Sequence, residues 1–166
     1  MLSWARQHRN TVNELKPSAA SLAQADWLAI AGVGQKTRIQ LGVETTRRGP
    51  RFVIDENQFA NSLDSNSPGS QETGDGTVPL AGAIPPFIAK PKLVCVTEQD
   101  LGIFELRDRI LTEFGGFHGL LPNINLVQRL VIKHLMPAYR GRVWGRRLPG
   151  SGSWTPPIMN LAEKSY

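Results

Sequence analysis

Two apolar runs do most to restrict what this chain can fold into. Asp26-Trp27-Leu28-Ala29-Ile30-Ala31-Gly32 is nearly continuous in apolar character and ends in glycine, and Pro91-Lys92-Leu93-Val94-Cys95-Val96-Thr97 is similar. A strand with one wet face alternates apolar and polar side chains, whereas a strand covered on both faces does not. The runs therefore predict two strands of a parallel sheet, joined through helices by right-handed crossovers. The fold class is α/β. With 166 residues, 40% of them hydrophobic, the chain is long enough for one domain with a core.

The remaining segments arrange themselves around those strands. Leu2, Ala5, Val12 and Leu15 fall near helical spacing before Pro17, which predicts a surface helix over 2–15; Ser18 to Gln24 adds a short second turn. Arg38 to Glu44 alternates, Arg51 to Asp55 alternates more weakly, and Thr46-Arg47-Arg48-Gly49-Pro50 between them is turn material. A small β-hairpin insert is expected at about 38–55. Residues 60–73, rich in Asn, Ser, Asp, Gly and Pro, predict a mobile loop. A short helix is expected between Leu80 and Ile88, ahead of Pro85-Pro86. Leu101 to Phe114 has one apolar and one charged face and stops at Gly115-Gly116, which predicts a helix. Leu120, Ile124, Val127, Val131 and Leu135 predict another, opened near Pro122 and closed by Pro137. This gives a body over 1–138 and a basic, Gly/Pro-rich, irregular tail over 139–166, in which Trp144, Trp154 and Met159 are candidates to dock back.

Charge and cysteine content exclude several classes. The net charge is +5, but the arginines are scattered between Arg47, Arg48 and Arg51 and the tail group Arg140, Arg142, Arg146 and Arg147. They read as solvated side chains, and no nucleic-acid partner is expected. Cys95 is the one cysteine, so no intrachain disulfide forms, which fits a reducing, cytoplasmic setting. Its apolar neighbours predict a buried thiol. No stretch has the apolar length of a membrane span, and the first residues are too polar for a signal peptide.

Two motifs carry chemistry. Gly74-Asp75-Gly76-Thr77-Val78-Pro79 places a carboxylate on a sharp glycine turn, and Phe117-His118-Gly119 follows the second strand with an imidazole. In a parallel sheet, functional side chains gather on loops at the carboxyl ends of strands. A serine hydroxyl is a poor nucleophile until a histidine takes its proton, and that histidine needs a carboxylate to fix its tautomer. Acid before histidine is the order found where the nucleophile lies earlier in the chain. Gly32-Val33-Gly34-Gln35-Lys36-Thr37 has a superficial likeness to a phosphate loop, but Gln35 stands where glycine is needed before the lysine and Thr37 where a dinucleotide site needs a third glycine. His8, His118, His134 and Cys95 are too dispersed to suggest a metal site, and no cofactor is expected.

The Gly-Asp-Gly-Thr-Val turn, the strand ending in Gly32-Val33-Gly34 and the His-Gly segment before the last long helix together resemble the C-terminal half of the α/β-hydrolase superfamily. They look most like the lecithin:cholesterol acyltransferase-like lipases and acyltransferases. The resemblance covers about residues 26–136. It implies that Asp75 is the acid of a catalytic triad and His118 its general base and acid. Gly74, Gly76 and Gly119 would permit the turns, and Thr77 would position the loop through its hydroxyl. It implies an enzyme of lipid metabolism acting on ester or lipid acyl groups. The nucleophile is absent: no Gly-x-Ser-x-Gly exists in the sequence, and Ser151 lies late, outside a strand-to-helix context. An upstream segment or a second chain is expected to supply it. The alternative is a non-catalytic α/β binding module or a decayed hydrolase fragment.

Overall fold

The computed structural model describes residues 2–14, 27–55, 58–60, 73–88, 92–102, 116–150 and 159–166. The two apolar runs form β1 (Ala29–Gly32) and β6 (Leu93–Val96), which pair in parallel with Ala29 opposite Leu93 and Gly32 opposite Val96. All four β6 residues are buried, as a strand covered on both faces requires. Helices and small parallel strand pairs in one chain are compatible with the α/β class.

Between these strands lie two antiparallel strand pairs and a helix. β2 (Thr37–Arg38) pairs with β5 (Phe59–Ala60), and β3 (Gly42–Thr46) pairs with β4 (Gly49–Val53) as a hairpin. The hairpin is narrower than the expected 38–55, because Arg38 is taken by the ladder to Phe59. Its two-residue turn, Arg47-Arg48, precedes Gly49 at φ 109°, a left-handed conformation that glycine adopts without steric cost. The loop expected over 60–73 is trimmed at both ends: Ala60 is in β5 and Thr73 is fully buried. Residues 61–72 lie outside the described set, as do Ser18 to Gln24 and most of the helix expected from Leu101 to Phe114. Leu101 itself is extended and follows a 3-10 turn at Glu98–Asp100.

Helix α1 (Leu2–Asn13) lies on the surface, and α2 (Leu80–Ala83) is a single turn after the acid motif. Helix α3 (Gly116–Leu120) runs through a 3-10 turn at Leu121–Asn123 into α4 (Asn125–Leu135). The buried face of α4 differs from the expected one. Leu126, Val127 and Leu130 are buried and Ile124 caps the helix from inside the core, whereas Val131 and Leu135 are exposed. The sequence Leu130-Val131-Ile132 offers two apolar stripes one position apart, and packing against Val94 and Val96 selects the one containing Leu130.

The last residues also join the core. β7 (Trp144–Gly145) pairs in parallel with β8 (Ala162–Glu163), and Arg146 exchanges both backbone hydrogen bonds with Cys95 at 2.9 and 3.0 Å. Arg146, expected among solvated tail residues, is fully buried. Its guanidinium is paired with the buried carboxylate of Asp100, and its Nε donates to the Ser165 carbonyl at 2.9 Å. Asp100 also accepts from Trp144 Nε1 at 2.8 Å and from the Thr97 N–H at 3.0 Å. Trp144 and Met159 thus dock onto the body as anticipated, Met159 within the cluster around Val94, Val96 and Leu130. Trp154 lies outside the described residues. Cys95 is buried, and burial pushes its thiol up to about 12. Among the described residues no helix is long and apolar enough to cross a membrane.

Candidate functional site

The carboxyl ends of β1 and β6 are drawn together by a short set of bonds. The Val33 N–H donates to the Val96 carbonyl at 2.9 Å, and Gln35 Nε2 donates to the Glu98 carboxylate. The segment after β1 then meets the acid turn. The Gly34 N–H donates to Thr73 Oγ1 at 3.0 Å, and the Gln35 N–H donates to the Gly74 carbonyl at 3.1 Å. The Val33, Gly34 and Gln35 amides are therefore already occupied by the chain itself, which argues against a nucleotide loop at Gly32–Thr37.

The acid turn closes on itself. The Leu80 N–H donates to the Thr73 carbonyl at 2.8 Å, and Asp75 Oδ1 accepts from the N–H groups of Thr77 at 3.0 Å and Val78 at 2.7 Å. This is the usual Asx arrangement, in which a short carboxylate satisfies the turn that carries it. Gly76 takes φ 96°, where a β-carbon is strained, and its N–H donates to Thr37 Oγ1 at 2.9 Å. A β-carbon at Gly74 would overlap the Val78 carbonyl oxygen and crowd the Thr37 side chain. Gly74 and Gly76 are thus required as expected. Thr77 serves the loop through its backbone N–H.

Asp75 Oδ2 lies 2.8 Å from His118 Nδ1. Asp75 is 5% exposed, and the His118 side chain is 47% exposed. A carboxylate taken from water needs its lone pairs satisfied, and three N–H groups meet that demand here. Because an ionised carboxylate only accepts, Nδ1 carries the proton and Nε2 is left as an acceptor on the opposite edge of the half-open ring. His118 sits in α3 rather than on a turn. Gly119 is likewise helical, with open space where its β-carbon would be, so the expected turn role of Gly119 does not hold.

Four further residues support this pair, and their partners lie too far along the chain for local patterns to reveal. Gly32 ends β1 directly beneath it: a β-carbon there would stand 2.7 Å from Asp75 Cβ and 2.9 Å from Phe117 Cε1. Thr37 fixes Gly76 while donating to the Gln35 carbonyl at 2.8 Å, and Thr73 fixes Gly34. Phe117, adjacent to the histidine, is buried in the same cluster as Val94 and Val96 and so anchors α3 to the sheet. The pairing gives a direct test. Gly32→Ala is expected to cost about 1–3 kcal/mol of stability by overpacking and to loosen the Asp75–His118 contact. Gly119→Ala, in a helix with free space, is expected to be neutral or to stabilise by up to about 1 kcal/mol. Urea melts of the two variants separate these outcomes.

The other sequence candidates stay apart from the pair. His8 stacks on Trp4 in α1 at 5.9 Å, and His134 lies near the end of α4. Among the described residues, no group of three or more His, Cys, Asp and Glu side chains gathers where a metal ion could sit. Ser151 and Ser153 fall outside the described residues. Comparison with protein-family models, curated proteins and solved structures gives no match.

Proposed function

We propose that this chain carries the acid and the histidine of a serine hydrolase or acyltransferase of the α/β-hydrolase type, acting on ester or lipid acyl groups. The observation that carries the reading is the 2.8 Å contact between Asp75 Oδ2 and His118 Nδ1 at the carboxyl edge of a parallel strand pair. In the proposed reaction His118 Nε2 takes the proton of a serine hydroxyl as its oxygen bonds to the acyl carbon. The same nitrogen returns that proton to the departing alkoxide, and a water or alcohol reverses the sequence to release the acyl group. Asp75 remains ionised throughout, holding the ring and stabilising the imidazolium.

A second observation favours a site completed by further chain. Among the described residues β1 pairs only with β6, so its other edge offers an unpaired strand to a neighbour. In a doubly wound sheet that edge is where preceding strands, and with them a nucleophile turn, would be added. A fluorophosphonate probe tests the proposal on the chain alone and on the chain co-expressed with the coding segment upstream of it. Serine labelling that disappears in His118→Ala is the expected result. Labelling indifferent to His118→Ala, or none in either sample, removes the catalytic reading and leaves a binding module.

A further inference from the structure

The β3–β4 hairpin presents an unusual outer face. Opposed residues of an antiparallel pair share a face, and residues two apart along a strand share it too. Val43 opposes Phe52 and Thr45 opposes Pro50. By the same alternation Leu41 and Ile54 extend that face at the hairpin's base. All four large apolar residues are exposed: Leu41 54%, Val43 56%, Phe52 63% and Ile54 73%. Neighbouring Glu44 opposes Arg51 on the other face, where Gln58 also braces the hairpin by donating to the Val53 carbonyl at 2.8 Å. The apolar face therefore contains no carboxylate and ends at the exposed turn Arg47-Arg48.

We infer that this hairpin is a docking element for an anionic lipid surface. Apolar side chains on one face suit the acyl boundary, and two arginines at the tip suit anionic headgroups just outside it. The absence of acidic residues from positions 41, 43, 45, 50, 52 and 54 removes the charge that such a surface would repel. The hairpin is also rooted at the candidate site. Only four positions separate Leu41 from Thr37, whose hydroxyl holds the Gly76 N–H of the acid turn. The inference goes beyond the catalytic proposal, because surface binding does not need His118.

Co-sedimentation with vesicles of phosphatidylcholine, with and without phosphatidylserine, tests it. The full chain is expected to bind the phosphatidylserine-containing vesicles preferentially, and more weakly as salt is raised. Phe52→Ser with Ile54→Ser should weaken binding at least about tenfold. Arg47→Gln with Arg48→Gln should remove the preference for phosphatidylserine, about fivefold for each arginine. These positions are exposed, so circular dichroism should show both variants folded, and His118→Ala should bind as the parent does. Failure of the parent chain to bind either vesicle overturns the inference, as does equal binding by Phe52→Ser with Ile54→Ser. Self-association without lipid binding, abolished by the same pair of substitutions, also overturns it and assigns the face to a second copy of the chain.

Discussion

Under the proposed hydrolase function, Asp75→Asn is expected to slow ester hydrolysis by the chain together with its nucleophile-bearing segment about 10⁴-fold while leaving the fold in place. The amide is nearly isosteric with the carboxylate, and its oxygen at the Oδ1 position still accepts from the Thr77 and Val78 N–H groups that hold the turn. Its nitrogen then faces His118 Nδ1 as a donor. The ring must answer with an unprotonated Nδ1, which moves the proton to Nε2 and leaves nothing to receive the hydroxyl proton. The loss should fall on kcat, because Asp75 is buried and touches no solvent-facing surface on which substrate would rest. Steady-state kinetics with a short-chain p-nitrophenyl ester checks this. A loss below about tenfold would mean that Asp75 is a turn residue and no more.

The largest expected effect on stability lies elsewhere, at Arg146. Arg146→Met leaves the buried Asp100 carboxylate with only the half-exposed Lys164 ammonium, 3.3 Å away, as countercharge, which should cost up to about 3–5 kcal/mol. Replacing both partners, Arg146→Met with Asp100→Leu, should recover only part of that loss: it removes the stranded carboxylate but leaves the Trp144 Nε1 and Thr97 N–H donors without their acceptor. Urea titration of the two variants and the parent measures it. The pair also predicts a pH dependence. Burial by itself pushes the Asp100 carboxyl up, but the Trp144 indole, the Thr97 N–H and the Arg146 guanidinium together outweigh burial and hold it below the ordinary carboxylate range. A carboxyl depressed on folding adds stability that is complete above the unfolded value of about 3.9 and is lost as pH falls through the folded value. The fall in stability below about pH 4 should accordingly be shallower in Asp100→Asn than in the parent.

These two residues also mark what the sequence makes legible. Asp75 and His118 stand out locally, one between glycines and one after a buried strand, and both strands are continuous apolar runs. Arg146 is invisible by the same logic. A buried charge contradicts the expectation that arginine is solvated, and its partner Asp100 lies 46 residues away. Thr37 and Thr73 are hidden for a related reason: each reaches across 39 residues to a backbone N–H, and ordinary threonines give no sign of that. Gly32 was visible as a strand end, yet its service to Asp75 and Phe117 depends on tertiary approach. The misplaced stripe on α4 has a different origin. Leu130, Val131 and Ile132 are all apolar, so periodicity allows two registers and only the neighbouring sheet chooses between them.

The tautomer of His118 tests the central claim most directly, and nitrogen-15 NMR of the imidazole reads it without substrate or nucleophile. At a pH where the ring is neutral, Nδ1 should bear the proton and Nε2 should resonate as an unprotonated acceptor, with the two interchanged in Asp75→Asn. A ring protonated on Nε2 in the parent chain, or unaffected by Asp75→Asn, would contradict the pairing on which the hydrolase proposal stands.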